Sequence, residues 1–249
     1  MTPPLYLVAE LPVGEFGDLS GDEGRHAVAV RRTRVGELLV LGDGSGGLAS
    51  GEVVEVGKDS LRVRIERRWR ESEPAPTVTL VQALVKGDRG ELAVELATEA
   101  GVDRIVPWRA ARCVARWEDG ARGDKALRRW QATVASAAKQ SRRAWVPRVD
   151  APARTTEVAD RCAAADVAIV LHESADTPIA ALGAELAAAS EVVLVVGPEG
   201  GISDEELAAL VARGARCVRL GPQVLRASTA AAVALGALGV LTRRWRSTD

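Results

Sequence analysis

The 249-residue chain is 47% hydrophobic and 27% charged with a formal net charge of −1, an ordinary soluble globular balance. Its longest apolar stretch, Ala227–Leu241, is too short and too interrupted to span a membrane, and the N-terminus has no basic leader, so a cytoplasmic protein is expected. Three dispersed cysteines (Cys113, Cys162, Cys217) and only two histidines (His26, His172) argue against a disulfide framework and against a metal.

The first seventy residues read as short strands between turns. Tyr6–Leu11, Gly36–Gly47 and Ala49–Trp69 have β-type composition or partial alternation, with turns at Asp43-Gly44, Ser45-Gly46 and Lys58–Ser60. Residues 21–36 have helical spacing and end at Gly36. This predicts a small barrel-like β unit with one helix over residues 1–72. The proline-containing, acidic stretch Glu71–Thr79 reads as a linker.

Beyond it, from residue 77 to 249, strands and helices alternate. Strands are expected at Thr77–Val85, Arg104–Trp108, Asp166–Glu173, Glu191–Gly197 and Arg216–Gly221. Helices are expected at Arg89–Val102, Lys125–Arg143 and the apolar C-terminal stretch. Such alternation predicts an α/β domain with a parallel sheet. Charge is uneven along the chain: residues 103–154 hold thirteen Lys/Arg against five Asp/Glu. A polyanion contact or a solvated helix face would both account for that.

"LVVGPEGGISDEEL" (Leu194–Leu207) sets a glycine turn between a buried strand and a helix start. Ser203 and Glu206 have capping-box spacing, so the glycines lie at the carboxyl end of a strand, where open α/β sheets bind ligands. The loop matches neither the phosphate-loop nor the dinucleotide pattern, and Glu199 inside it would repel a pyrophosphate. "LGPQVLRASTA" (Leu220–Ala230) repeats the arrangement after the next strand, with Val224-Leu225 as an apolar anchor before Arg226.

These paired motifs resemble the RsmE family of SPOUT-class RNA methyltransferases. The resemblance covers nearly the whole chain: His26–Gly47 looks like the family's PUA-like RNA-binding barrel, and Ala83–Pro107 and Ala137–Pro147 look like its middle motifs. Three places depart from the family pattern: Gln223, Ala227-Ser228 and Leu96.

The resemblance implies a trefoil-knotted SPOUT domain, a homodimer, S-adenosyl-L-methionine as cofactor and 16S ribosomal RNA of the small subunit as partner. The implied reaction is methylation of uridine N3. The implied cofactor residues are Leu171, His172, Glu173, Gly197, Pro198, Glu199, Gly200, Gly201, Leu220, Gly221, Leu225, Arg226 and Thr229. Glycines at 197, 200 and 201 would let the backbone reach adenine and ribose. Arg226 is the implied catalytic cation, with Glu199 as a second catalytic candidate. RNA contacts are implied at Arg25, His26, Arg31, Arg32, Arg34, Lys86, Gln140, Arg142 and Arg143. A transfer-RNA methyltransferase and a non-catalytic RNA-binding dimer are the alternatives.

Overall fold

The computed structural model describes residues 2–245, so Met1 and residues 246–249, the outer ends of the two expected domains, lie outside the described residues. The chain forms two compact units, one of Met1–Glu73 with Ala138–Val146 and one of Pro74–Ala137 with Pro147–Asp249.

In the first unit, β1 (Leu5–Leu7), β2 (Phe16–Leu19), β3 (Leu38–Gly42), β4 (Gly47–Val56) and β5 (Leu61–Arg70) form one sheet in the order β1-β3-β4-β5-β2. Only β1 and β3 pair parallel. Period-two alternation turns Leu61, Val63 and Ile65 of β5 inward, while Arg62, Arg64 and Glu66 are exposed. The inward residues join Tyr6, Leu19, Leu39, Leu41 and Val53 in the unit's core. β4 bulges at Gly51, where a Cβ would sit 2.2 Å from the Arg64 carbonyl oxygen; only glycine fits.

The helix expected over residues 21–36 stops at Val30. α1 (Gly21–Arg25) runs into a π-turn over His26–Val30, closed by the Arg31 amide on the His26 carbonyl at 3.0 Å. The run Arg31-Arg32-Thr33-Arg34 has little apolar surface to bury, so packing gives no reason to extend the helix.

The second unit is built on six strands. β6 (Thr77–Ala83), β7 (Arg104–Trp108), β8 (Arg148–Val149), β9 (Val167–Leu171), β10 (Glu191–Val196) and β11 (Arg216–Val218) lie in the order β11-β9-β10-β6-β7-β8. Every pair is parallel. β6 and β10 are central and covered on both faces, which is why their sequences are near-continuous apolar runs. β10 occupies the slot between β9 and β6, although it follows both in the chain.

Helices α2 (Arg89–Glu99), α3 (Ala121–Gln140), α4 (Thr155–Ala164), α5 (Gly183–Ala188), α6 (Asp204–Ala212) and α7 (Ala227–Leu241) complete the chain. α4 packs with α6, and α2 packs with α7. α4, α5 and the short β8 carry no clear sequence signal. α4 buries only Val158, Ala159 and Cys162, so its apolar stripe is thin. Trp130 of α3 is 2% exposed and meets Trp117 edge to face, a core role rather than a surface platform.

After α7 the chain turns back on Arg244. Its guanidinium forms a two-pronged pair with Asp103 at 2.6 and 3.1 Å and also donates to the Pro76 and Gly101 carbonyls. Asp103 accepts the Val78 amide at 2.8 Å as well. The pair therefore ties the C-terminal end of α7 to the starts of β6 and β7. Among the described residues, no helix is long and apolar enough to cross a membrane.

Candidate active site

Because all six strands run the same way, their carboxyl ends share one edge, and the loops there enclose a crevice. The loop after β10 is fixed first. Ser203 Oγ accepts the Glu206 amide and the Glu206 carboxylate accepts the Ser203 amide, both at 3.3 Å, so the capping box forms. Glu206 is only 7% exposed and does more than cap: it also accepts the Ala111 amide at 2.9 Å and the Thr155 hydroxyl at 2.8 Å. One carboxylate thus joins the β7–α3 loop and the starts of α4 and α6. Sequence separation hides these partners from any local pattern.

The crevice has a volume of about 820 Å³, within the range of small-molecule sites. Its walls are Leu171–Glu173 after β9, Gly197–Ile202 after β10 and Leu220–Ala227 after β11, with Arg89 and Arg112 added from elsewhere. Every residue implied for the cofactor lines it except Thr229. The Thr229 hydroxyl instead donates to the Arg226 carbonyl at 3.1 Å, at the start of α7.

The glycines also have a reason within the protein itself. A Cβ on Gly197 would lie 2.6 Å from Ile202 Cγ1, and one on Gly200 would lie 3.2 Å from both the Cβ and the carbonyl oxygen of Arg112. Gly201 has a φ of 74°. Gly197 is thus required by the protein's own packing and Gly201 by left-handed backbone, while Gly200 sits in close packing with Arg112. The Val224-Leu225 pair is exposed, Val224 at 75% and Leu225 at 36%. Their side chains present apolar surface at the crevice.

The charged groups are held in distinct ways. Arg226 is the N-cap of α7, its carbonyl accepting the Thr229 and Ala230 amides at 2.9 and 3.0 Å. Its guanidinium has no hydrogen bond or ion pair among the described residues. The Glu199 carboxylate accepts the Lys86 amide at 3.3 Å, bracing the loop against the β6–α2 turn. His172 Nδ1 lies 2.9 Å from the Ser174 hydroxyl and accepts its amide at 3.4 Å, a local loop contact. No group of three His, Cys, Asp or Glu among the described residues could hold a metal.

The cysteines take no part in this chemistry. Burial pushes the Cys113 and Cys162 thiols up to about 11 and raises Cys217 as well. The reactive thiolate is therefore scarce near neutral pH. Alkylation followed by mass spectrometry at pH 8 is expected to label all three slowly in the folded chain and fast in denaturant. Rapid labelling of Cys113 in the folded chain would contradict this.

The residues implied for RNA divide between the units. Arg25, His26, Arg31, Arg32, Arg34, Gln140, Arg142 and Arg143 belong to the first, and Lys86 to the second. Arg25 pairs with Asp22, and the His26 ring meets Tyr6 edge-on at 6.5 Å. Among the described residues, Arg32 and Arg142 are the two non-glycine residues with positive φ, at 55° and 57°. Arg142 ends α3 in the position where glycine is usual: its amide bonds the Lys139 carbonyl and the Arg143 amide bonds the Ala138 carbonyl. An arginine held left-handed carries strain of about 1 kcal/mol that glycine would relieve. Arg142→Gly is expected to keep or raise the melting temperature while weakening RNA binding. A lower melting temperature with unchanged RNA binding would make Arg142 a structural brace.

Residues 71–239 match the RNA methyltransferase domain family, and residues 19–66 match the RNA methyltransferase PUA domain family. A Mycobacterium bovis protein named Ribosomal RNA small subunit methyltransferase E is 56% identical over 98% of this chain and 94% of its own length. The Bacillus subtilis protein of that name is 30% identical over 92% of this chain and 91% of its own. A solved Ribosomal RNA small subunit methyltransferase E from Neisseria gonorrhoeae, bound to S-adenosyl methionine, is 28% identical with a TM-score of 0.85, covering 97% of this chain and 98% of that one. With a PUA domain before a parallel-sheet methyltransferase domain, and with sequence likeness along nearly its full length, the chain belongs to the ribosomal RNA small subunit methyltransferase E family.

Proposed function

We propose that the chain is an S-adenosylmethionine-dependent enzyme that methylates N3 of a specific uridine in 16S ribosomal RNA. The observation that carries this is the crevice at the carboxyl edge of the sheet, closed by the two Gly-Pro loops, in a chain of this family. The residues fit the cofactor: Leu171, Val196, Leu220 and Leu225 offer apolar wall for a purine, and the glycine loops present bare backbone beside it. When bound, the cofactor supplies an electrophilic methyl group.

The chain's own residues then align the uracil and manage its N3 proton. Arg226, fixed at its backbone and with no partner for its guanidinium among the described residues, is the group we assign to steady charge developing on uracil O2 or O4. Glu199 lines the same crevice and is the candidate acceptor for the proton. Arginines of the first unit would grip the RNA backbone, where guanidinium forks suit phosphates. Mass mapping of ribosomal RNA from a strain lacking the gene should show one N3-methyluridine missing from 16S RNA. A loss from transfer RNA instead, or no loss at all, would refute the assignment.

The reading includes a homodimer through α7. Val233 and Val240 are 47% and 72% exposed and seven residues apart, so they share one helix face, away from the residues α7 buries. Light scattering at micromolar concentration should give twice the chain mass, and Val240→Glu should halve it. A monomeric mass for the unaltered chain would contradict the dimer.

A further inference from the structure

Two arginines of the crevice belong to none of the motifs that point to a cofactor. Arg89 opens α2 after β6, and Arg112 lies in the loop after β7. Strand order fixes which side they occupy. Along the sheet edge the loops follow β11, β9, β10, β6 and β7, so the glycine loop after β10 is central. The residues assigned to the cofactor all come from the β9, β10 and β11 loops. Arg89 and Arg112 line the crevice from the opposite flank.

Both side chains are exposed. Arg112 is nevertheless built in. The Glu206 carboxylate holds the preceding Ala111 amide at 2.9 Å, and a Cβ added at Gly200 would lie 3.2 Å from the Cβ of Arg112, so the two residues pack closely. Its guanidinium makes a single long hydrogen bond among the described residues, 3.4 Å from Nη1 to the Gly200 carbonyl. Among the described residues, Arg89 makes none through its side chain. The crevice acids Glu173, Glu199 and Asp204 form no ion pair with either arginine among the described residues. Two cations are thus held at a ligand crevice with most of their donors unused, an arrangement suited to an oxyanion.

We infer that Arg89 and Arg112 form an oxyanion-binding pair that takes RNA phosphates flanking the target nucleotide. RNA is the favoured source because the cofactor reading places its contacts on the other flank; the cofactor's own carboxylate is the rival source. Arg112 reaches the glycine loop directly through its hydrogen bond to the Gly200 carbonyl, so a phosphate seated on it would lie beside that loop. The inference rests on the methyltransferase reading.

The test uses the full-length chain and glutamine variants, since Arg112→Gln keeps a stem to pack on Gly200. Affinity for a small-subunit ribosomal RNA transcript is measured across a salt series, and affinity for S-adenosylmethionine by calorimetry. Arg89→Gln and Arg112→Gln should each reduce the slope of log affinity against log salt by about one, and the double variant by about two. Cofactor affinity should be unchanged. A weakened cofactor with an unchanged RNA slope would assign the oxyanion to the cofactor's carboxylate and overturn the RNA assignment. No change in either would leave Arg112 a brace for Gly200 and overturn the inference outright. If instead the unaltered chain fails to transfer a methyl group to small subunits, the methyltransferase reading itself fails, whatever the variants do.

Discussion

Arg226→Ala is expected to lower the single-turnover rate of methyl transfer by about a hundred- to a thousandfold, the usual cost of removing one donor from a preorganised site. The geometry separates this from a folding defect. Arg226 caps α7 with its backbone carbonyl, which alanine retains, and its guanidinium holds no other element in place. Cofactor affinity and melting temperature should therefore stay close to those of the unaltered chain. Arg226→Lys keeps the charge but loses the planar fork, so partial recovery is expected. A near-normal rate for Arg226→Ala with saturating RNA and cofactor would remove Arg226 from the chemistry.

The second large effect concerns stability. Arg244 is 7% and Asp103 15% exposed at their side chains, and each satisfies backbone groups besides the other. Arg244→Ala takes the cation from a half-buried carboxylate that keeps its bond to the Val78 amide, and losing hydrogen bonds between charged groups typically costs about 1.5–3 kcal/mol. The loss would fall on the return of the chain after α7, which packs against α2. Denaturant unfolding should show a lower midpoint, with a smaller loss for Arg244→Lys, which keeps one contact to Asp103. A midpoint unchanged by Arg244→Ala would show that the packing of α7 alone holds the C-terminus.

Much of the second unit was legible because its strands announce themselves. β9 is apolar throughout and β6 and β10 are mostly so, which suits burial on both faces of a parallel sheet. The Ser203–Glu206 cap was equally legible, since both partners lie within one turn. What stayed hidden depends on distant pairing. The other two partners of Glu206, the close packing of Arg112 with Gly200 and the return of Ala138–Val146 to the first sheet have no local pattern. Glycine was an ambiguous signal: Gly197 and Gly200 read as room for a ligand, and the protein's own side chains also pack close beside them. Alanine-rich α4 and α5 were missed because small side chains give a faint stripe.

The most direct test of the proposed reaction is methyl transfer by the purified chain. Small ribosomal subunits from a strain lacking the modification would be incubated with labelled S-adenosylmethionine, and the nucleosides then resolved by mass spectrometry. Label in N3-methyluridine, at one per small subunit and appearing far more slowly with Arg226→Ala, is the predicted result. Absence of label in 16S RNA, with cofactor bound and the chain folded, would contradict the reading of this crevice as a ribosomal RNA methyltransferase site.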